Sequence, residues 1–375
     1  MTSRPLDICF VLPSLEIGGA ERVTVNLLNG LHAQGQAPRL LLTHREGSLR
    51  AELTGGIPVV TLGRPRVRSA LPEVLSRLRR RPPDVVLSTH THVNLVLCGI
   101  RPLLGRRTRL VIREPLHSAP PSVDVPSWVR RLKRVLYPRA DLLLVTSEAM
   151  EKDLASLTGT TPVILPNAVD VARVRGVAAQ GLSSAPGVDE GPSITRRFVA
   201  VGRLVPQKAY DDLLEAFAVA SGPGDRLEIF GDGPLRDHVA QLIATLGLAE
   251  RVSLAGNCPD HWPRVARADA LILTSTHEGM PNAVLEALAL GTPVLATTDL
   301  DVLEGLRISA APGAVTLVPR SELAAAMRAI NGRQGASAEL MKPNLLPTAF
   351  DSMSVSRTLV TLLTELVSDP RTGAA

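Results

Sequence analysis

Two doubly wound α/β units, each built on a parallel sheet, are the fold this chain predicts. Three observations point there. Short, nearly unbroken apolar runs alternate with stretches of helical periodicity, the pattern of strands covered by helices on both faces. At 375 residues the chain is longer than one ordinary core supports. A single stretch rich in Gly, Ser, Ala and Pro, from Val174 to Arg196, divides the strand-and-helix pattern into two series.

The first series opens with LDICFVLPS (Leu6–Ser14), a buried strand by its composition. A turn follows, then a helix from Gly19 to about Gln34 whose Ala20, Val23, Leu27, Leu28 and Leu31 share one face. Further strands are predicted at Arg39–Thr43, Val59–Leu62, Val85–Ser88, Leu110–Arg113 and Leu142–Thr146. The second series has strands at Phe198–Val201, Leu227–Phe230, Val252–Ala255, Ala270–Thr274 and Val294–Thr297. The domains so drawn are residues 1–173 and 197–349, with 174–196 as a flexible linker. An amphipathic closing helix, about residues 350–368, is set to pack back on the first domain. Open parallel sheets bind ligands at the carboxyl ends of their strands. Two such sheets facing each other would place a site in the cleft between them.

Composition narrows the function. Only 2% of the residues are aromatic, so the cores must be filled by Leu, Val, Ala and Ile. Cys9, Cys98 and Cys258 lie far apart without metal-ligand spacing and read as reduced thiols. Asp7 interrupts the first apolar run, so no secretory leader is read, and no uncharged stretch reaches the roughly 20 residues that span a bilayer. A cytoplasmic protein is expected, with contact at the inner face of the membrane left open. Residues 1–168 carry 23 Lys and Arg against 13 Asp and Glu, whereas the remainder carries 18 against 23. A basic first half implies an anionic partner. Nucleic acid is disfavoured, because no stacking aromatics interleave the arginines; anionic lipid head groups or a lipid diphosphate fit better.

The richest segment is THEGMPNAVLEALALGTPV (Thr276–Val294), which leaves a strand and opens a helix. Glu278 falls on the loop, and Glu286 about one turn inside the helix. Between them, around Met280, Pro281, Asn282 and Ala283, lies a helix N-terminus whose amides and partial positive charge suit a diphosphate. One carboxylate on each side of a diphosphate matches a nucleotide sugar: ribose, two phosphates, hexose. VGRLVPQKAY (Val201–Tyr210) places Arg203 and Lys208 five apart on a loop entering a helix, a fork and a point charge for phosphate oxygens. In IGGAER (Ile17–Arg22), Gly18 and Gly19 admit backbone close to a ligand, although a tight turn explains them as well. IFGDGPL (Ile229–Leu235), with Gly231 and Gly233, leaves the same two readings open.

Together GGAERV, PNAVD, VGRLVPQK, GDGPL and EGMPNAVLEALALGTPV resemble the retaining family 4 glycosyltransferases of the GT-B fold, over nearly the whole chain. The resemblance implies that Arg203 and Lys208 bind the donor diphosphate, that Glu286 holds the ribose hydroxyls and that Glu278 contacts the donor sugar. Gly19 would lie against phosphate or acceptor, and Gly231 near the donor. No bound metal or other cofactor is implied, since cationic side chains and helix amides neutralise the leaving diphosphate. The expected reaction transfers a hexose or N-acetylhexosamine, most simply from a UDP-sugar, to a lipid-linked or cell-surface glycan.

The first domain is less clear. THTHVNL (Thr89–Leu95) offers His90 and His92, and IREPLHS (Ile112–Ser118) offers Arg113, Glu114 and His117. Relatives often place a histidine at the second of these strand ends, where this chain has Arg113 and Glu114. These two are expected at the reacting centre, Arg113 as a cation facing a phosphate, and the three histidines toward the acceptor or merely on loops. In TTDLDVLEG (Thr297–Gly305), Asp299 and Asp301 stand where relatives have a glycine-containing turn. VPSWVRRLKRVLYPR (Val125–Arg139) reads either as an amphipathic helix on an anionic membrane or as a domain helix with a solvated basic face. Two other functions compete: a GT-B nucleotide-sugar epimerase and a non-catalytic nucleotide-sugar-binding subunit.

Overall fold

The computed structural model describes residues 4–115, 126–184, 195–258, 261–300, 302–332 and 341–369. The chain forms two compact units, Met1–Val169 with Ala349–Ala375, and Asp170–Thr348.

In the first unit the order is β1 (Asp7–Ser14), α1 (Gly19–Ala33), β2 (Ala37–Arg45), β3 (Val59–Thr61), α2 (Val67–Arg80), β4 (Val85–Ser88), α3 (Thr91–Gly99), β5 (Arg109–Arg113), α4 (Ser127–Leu136), β6 (Leu142–Val145), α5 (Glu148–Thr158) and β7 (Val163–Ile164). The second unit follows with α6 (Val171–Ser184), β8 (Arg197–Val201), α7 (Tyr210–Ala220), β9 (Arg226–Phe230), α8 (Arg236–Thr245), β10 (Val252–Gly256), α9 (Trp262–Arg267), β11 (Ala270–Leu273), α10 (Asn282–Ala289), β12 (Val294–Thr297), α11 (Val302–Ser309), β13 (Val315–Val318) and α12 (Leu323–Ala329). The chain then returns to the first unit as α13 (Ser352–Ser368).

Both sheets are parallel, in the orders β3-β2-β1-β4-β5-β6-β7 and β10-β9-β8-β11-β12-β13. Each reverses direction beside its first strand, which is the doubly wound arrangement. The central strands are buried on both faces, as their continuous apolar runs require. Along β1, Ile8, Phe10 and Leu12 enter a core shared with α1 and α13, while Cys9 and Val11 enter the core on the other face with α2 and α3. In the second unit Phe198 and Ala200 of β8 meet Leu213, Leu214 and Phe217 of α7 in a comparable core.

Local chemistry sets the element ends. Ser147 Oγ accepts the Met150 amide to cap α5, and Gly159 ends that helix at φ 69°. The Asp351 carboxylate caps α13 through the Met353 amide at 3.0 Å. Gly30 is small because α13 crosses there; a Cβ would lie 2.1 Å from Ser356 Oγ.

The structure adds two short strands that the sequence pattern did not announce, β7 and β13. It also corrects the linker. Where a connector from residue 174 was expected, α6 runs through Ser184, and the second unit already begins at Asp170. Arg175 anchors that helix, donating to the carbonyls of Ala289 at 2.8 Å and Lys342 at 2.9 Å. Tertiary contacts therefore order a glycine-containing segment whose own helix propensity is low. Among the described residues no helix is long and apolar enough to cross a membrane.

Candidate functional site

The second unit gathers its polar groups at the carboxyl ends of β8, β9 and β11. Three backbone turns meet there. After β8 the chain passes Gly202 and Arg203 and makes a single 3-10 turn, Pro206–Lys208. After β9, Gly231 adopts φ +130° so closely against this segment that a Cβ would lie 2.0 Å from the Gly202 carbonyl oxygen. That carbonyl also accepts the Tyr210 hydroxyl at 2.9 Å. The glycine at 231 is thus a packing necessity, which is the mechanism behind the GDGPL pattern.

Lys208 and Glu278 come together in this cluster. The ammonium donates to Glu278 Oε1 at 2.5 Å, with the two side chains only 16% and 12% exposed. Their loops are stitched together as well. The Thr276 amide donates to the Gln207 carbonyl at 2.9 Å, and Gln207 Nε2 donates to the His277 carbonyl at 2.7 Å. Burial, followed by the nearby Glu278 carboxylate, pushes the Tyr210 phenol up from its ordinary value. Arg203 lies beside this cluster in sequence, with its side chain exposed.

The helix expected after Glu278 is α10, with Pro281 at its N-cap and Asn282 and Ala283 opening its first turn. Proline has no capping side chain, and no acidic residue stands in the first turn of this helix. Met280 is half-buried just before it. Glu286, 8% exposed, is the fifth residue of α10. Its Oε2 accepts the Trp262 indole N–H at 2.7 Å and lies 3.5 Å from His261 Nε2. His261 in turn packs near the rings of Phe230 and Trp262, at 5.9 and 5.8 Å. Aromatics are rare in this chain, and this group around Glu286 went unread in the sequence. The HWP triplet after β10 was its only local signal.

In the first unit, α1 begins at Gly19 behind an extended Gly18. Glu21 folds back over that terminus, so that a Cβ on Gly18 would lie 2.3 Å from its carboxylate oxygen. The helix end therefore already has a carboxylate of its own beside it. Glu21 Oε1 also pairs with His90 Nε2 at 2.9 Å. His92 packs edge-on to His90, at 5.8 Å between ring centres. Burial, and then His90, hold its imidazole below the usual value. His117 and Asp301 lie outside the described residues.

Arg113 and Glu114 differ from expectation. They are 1% and 0% exposed, inside the unit. Arg113 donates to Asn167 Oδ1 at 2.5 Å and to the Leu165 carbonyl at 3.3 Å, and burial lowers its guanidinium to about 10. Glu114 accepts the Tyr137 hydroxyl and that of Thr91 (2.7 Å) and pairs with Lys133 at 3.3 Å. Partners from α3, α4 and the chain after β7 meet Glu114 and one Nη of Arg113, while the buried Arg113 Nε has no hydrogen-bond partner among the described residues. The sequence shows two charges at a strand end but not the groups that close over them. In this arrangement both side chains are buried and bonded to their own unit, not set out on an exposed strand end.

The Lys133 contact has a consequence for α4. Its one buried side chain is a lysine, while Trp128 and Val135 are each 61% exposed and Leu132 39%. The helix rests on the unit through Lys133 and Leu136, and turns the large apolar residues Trp128, Leu132 and Val135 outward.

Known proteins share both units. Residues 17–173 match the family described as Glycosyltransferase Family 4, and residues 191–330 match Glycosyl transferases group 1. The chain is 30% identical over 305 residues to the 2-deoxystreptamine N-acetyl-D-glucosaminyltransferase of Streptomyces fradiae, spanning 75% of this chain and 69% of that one. It is 27% identical over 287 residues to the lipopolysaccharide core biosynthesis glycosyltransferase LpsE of Rhizobium meliloti, spanning 75% and 76%. The fold is similar to that of Anabaena Alr3699/HepE, crystallised with UDP and glucose: TM-score 0.77, 19% identity, 96% of this chain and 100% of that chain.

Proposed function

The chain belongs to glycosyltransferase family 4 and has the GT-B fold, and on that premise we propose that it is a retaining, metal-independent transferase. It moves a hexose or N-acetylhexosamine from a UDP-sugar to a lipid-linked or cell-surface glycan. The observation that carries this reading is the Lys208–Glu278 pair, 2.5 Å apart beside the N-terminus of α10. A cation and an oriented helix end in one place are what a departing diphosphate needs.

In the reaction the bond from the anomeric carbon to the diphosphate oxygen breaks, and a new bond forms to the acceptor oxygen. The acceptor proton passes to the departing diphosphate. Lys208, Arg203 and the amides of Asn282 and Ala283 bind that diphosphate and balance its growing charge. Glu278, set by Lys208, accepts from a hydroxyl of the transferred sugar. Glu286, oriented by Trp262, accepts from the ribose hydroxyls. UDP and glucose in HepE, and the lipopolysaccharide role of LpsE, support the donor and acceptor classes.

The outward-facing Trp128, Leu132 and Val135, with Arg131 and Arg134 exposed among them, support peripheral docking on an anionic membrane, where such acceptors reside. The test is a panel of nucleotide sugars and lipid-linked acceptors with EDTA present. Transfer is expected, with the donor's anomeric configuration kept in the product by NMR. Neither transfer nor donor hydrolysis with any member, and no binding of a nucleoside diphosphate, would overturn the reading. Conversion of the donor without acceptor would instead indicate an epimerase.

A further inference from the structure

We propose that Arg320 is a positioning residue for the turn that carries Lys208, and that Asp299 and Asp212 hold it to that task. The inference rests on the reading of Lys208 as the diphosphate cation. Arg320 stands just after β13, remote in sequence from every donor motif. Its guanidinium nevertheless ties together three elements at one edge of the sheet. Nε donates to Asp299 Oδ2 at 2.5 Å, beyond the end of β12. Nη1 donates to Asp212 in the first turn of α7. Nη2 donates to the Thr274 carbonyl at 2.8 Å, at the end of β11.

Thr274 passes the constraint on. Its hydroxyl lies 2.9 Å from the Lys208 carbonyl and 3.0 Å from that of Ala209. Ala209 sits at φ 48°, ψ 51°, and among the described residues it is the one non-glycine at positive φ. A left-handed alanine is strained and persists only where its surroundings enforce it. Here the enforcing contacts are the Thr274 hydroxyl on one side and α7 on the other, and Arg320 grips both. The strain falls one residue after Lys208, so releasing it would swing the ammonium away from Glu278.

This gives a task to Asp299, just beyond the end of β12. Asp299 faces Arg320, and with Asp212 it brackets the guanidinium so that one face of the fork is left for Thr274. A lysine there would offer a point charge without the planar fork that three partners require.

The experiment compares wild type, Arg320→Met and the double variant Arg320→Met with Ala209→Gly, using UDP binding and amide hydrogen exchange in the ligand-free protein. Arg320→Met is expected to weaken UDP binding about tenfold, the loss of one hydrogen bond to a charged group. It should speed exchange at the Lys208 and Thr276 amides, which close this turn, and leave the strand amides of β8 unchanged. Glycine accepts positive φ without strain, so Ala209→Gly should restore most of the binding. A purely structural arginine would not be rescued at residue 209. Unchanged binding in Arg320→Met, unchanged exchange at the two amides, or no recovery from Ala209→Gly overturns the proposal. Should Arg320→Met fail to fold, Asp299→Asn loosens the same guanidinium and the same readouts decide. If the wild type binds no UDP, the functional reading of the site falls, while exchange in the ligand-free protein still decides the role of Arg320.

Discussion

Lys208 and Glu278 lie seventy positions apart in sequence and 2.5 Å apart in space, on loops leaving β8 and β11. Each loop is short, and backbone bonds hold the two together on both sides of the pair. The lysine is therefore placed before any ligand arrives, which limits the ordering cost of binding.

Replacing Lys208 by Met should weaken UDP binding about ten- to a hundredfold, since a charge-assisted hydrogen bond is lost. It also strands the Glu278 carboxylate, only 12% exposed, at a cost of about 2 kcal/mol. Calorimetric titration and urea unfolding read the two effects separately. Lys208→Met that binds UDP like wild type would refute the assigned role.

Gly231→Ala should be more damaging than its one methyl suggests. The new Cβ meets the Gly202 carbonyl at 2.0 Å and the backbone is at φ +130°. A loss of about 3 kcal/mol is expected in urea unfolding, with donor binding lost alongside. Gly247→Ala, which also has positive φ but open space around it, is the control and should cost less.

At Glu286 two substitutions separate support from binding. Glu286→Ala leaves the buried Trp262 N–H without its acceptor, costing about 1–3 kcal/mol. Glu286→Gln keeps an oxygen for the indole and should keep most of the stability, while nucleoside binding falls in both. If Glu286→Gln binds UDP as wild type does, the carboxylate is not the ribose ligand.

Burial pushes the Cys9 and Cys98 thiols from 9.0 up to about 12. For each, the folded value lies above the unfolded one, so the protonated thiol favours folding. Its contribution is complete below pH 9 and is lost as pH rises toward 12. At pH 8.5 iodoacetamide should therefore modify only Cys258, the one half-buried thiol. Mass spectrometry of the native protein should find a single adduct, and three adducts would contradict the packing around β1 and α3.

Vesicles containing anionic lipid should bind the protein, and binding should weaken with salt. Replacing Arg131 or Arg134 should cost about 1 kcal/mol each, some fivefold in partitioning. Trp128→Ser should weaken binding without lowering stability, because its side chain is 61% exposed. Sedimentation with liposomes of neutral and anionic composition distinguishes charge from apolar insertion. Equal pelleting with both would remove the electrostatic part of the claim.

What the linear chain settled by itself is the alternation of buried strands with amphipathic helices. It also settled the glycines and the carboxylate pair around α10, because these patterns are local: period, turn geometry and a helix start are set by neighbours in sequence. From them the two parallel sheets, the bounds of α1 and the placement of Glu278 outside and Glu286 inside a helix were all legible. Tertiary structure decided whatever depends on what closes over a side chain. Arg113 and Glu114 read as charges at a strand end facing the reacting centre, yet Asn167, Tyr137 and Lys133, from distant segments, close over them and bond to them. The residues from 174 to 184 read as a connector, yet packing makes them a helix. Arg320 carries no local signature at all, because its three partners come from segments whose only link is proximity in the folded sheet. Burial and partnership are properties of the assembled core, and a chain read in one dimension records only the residues that will meet there.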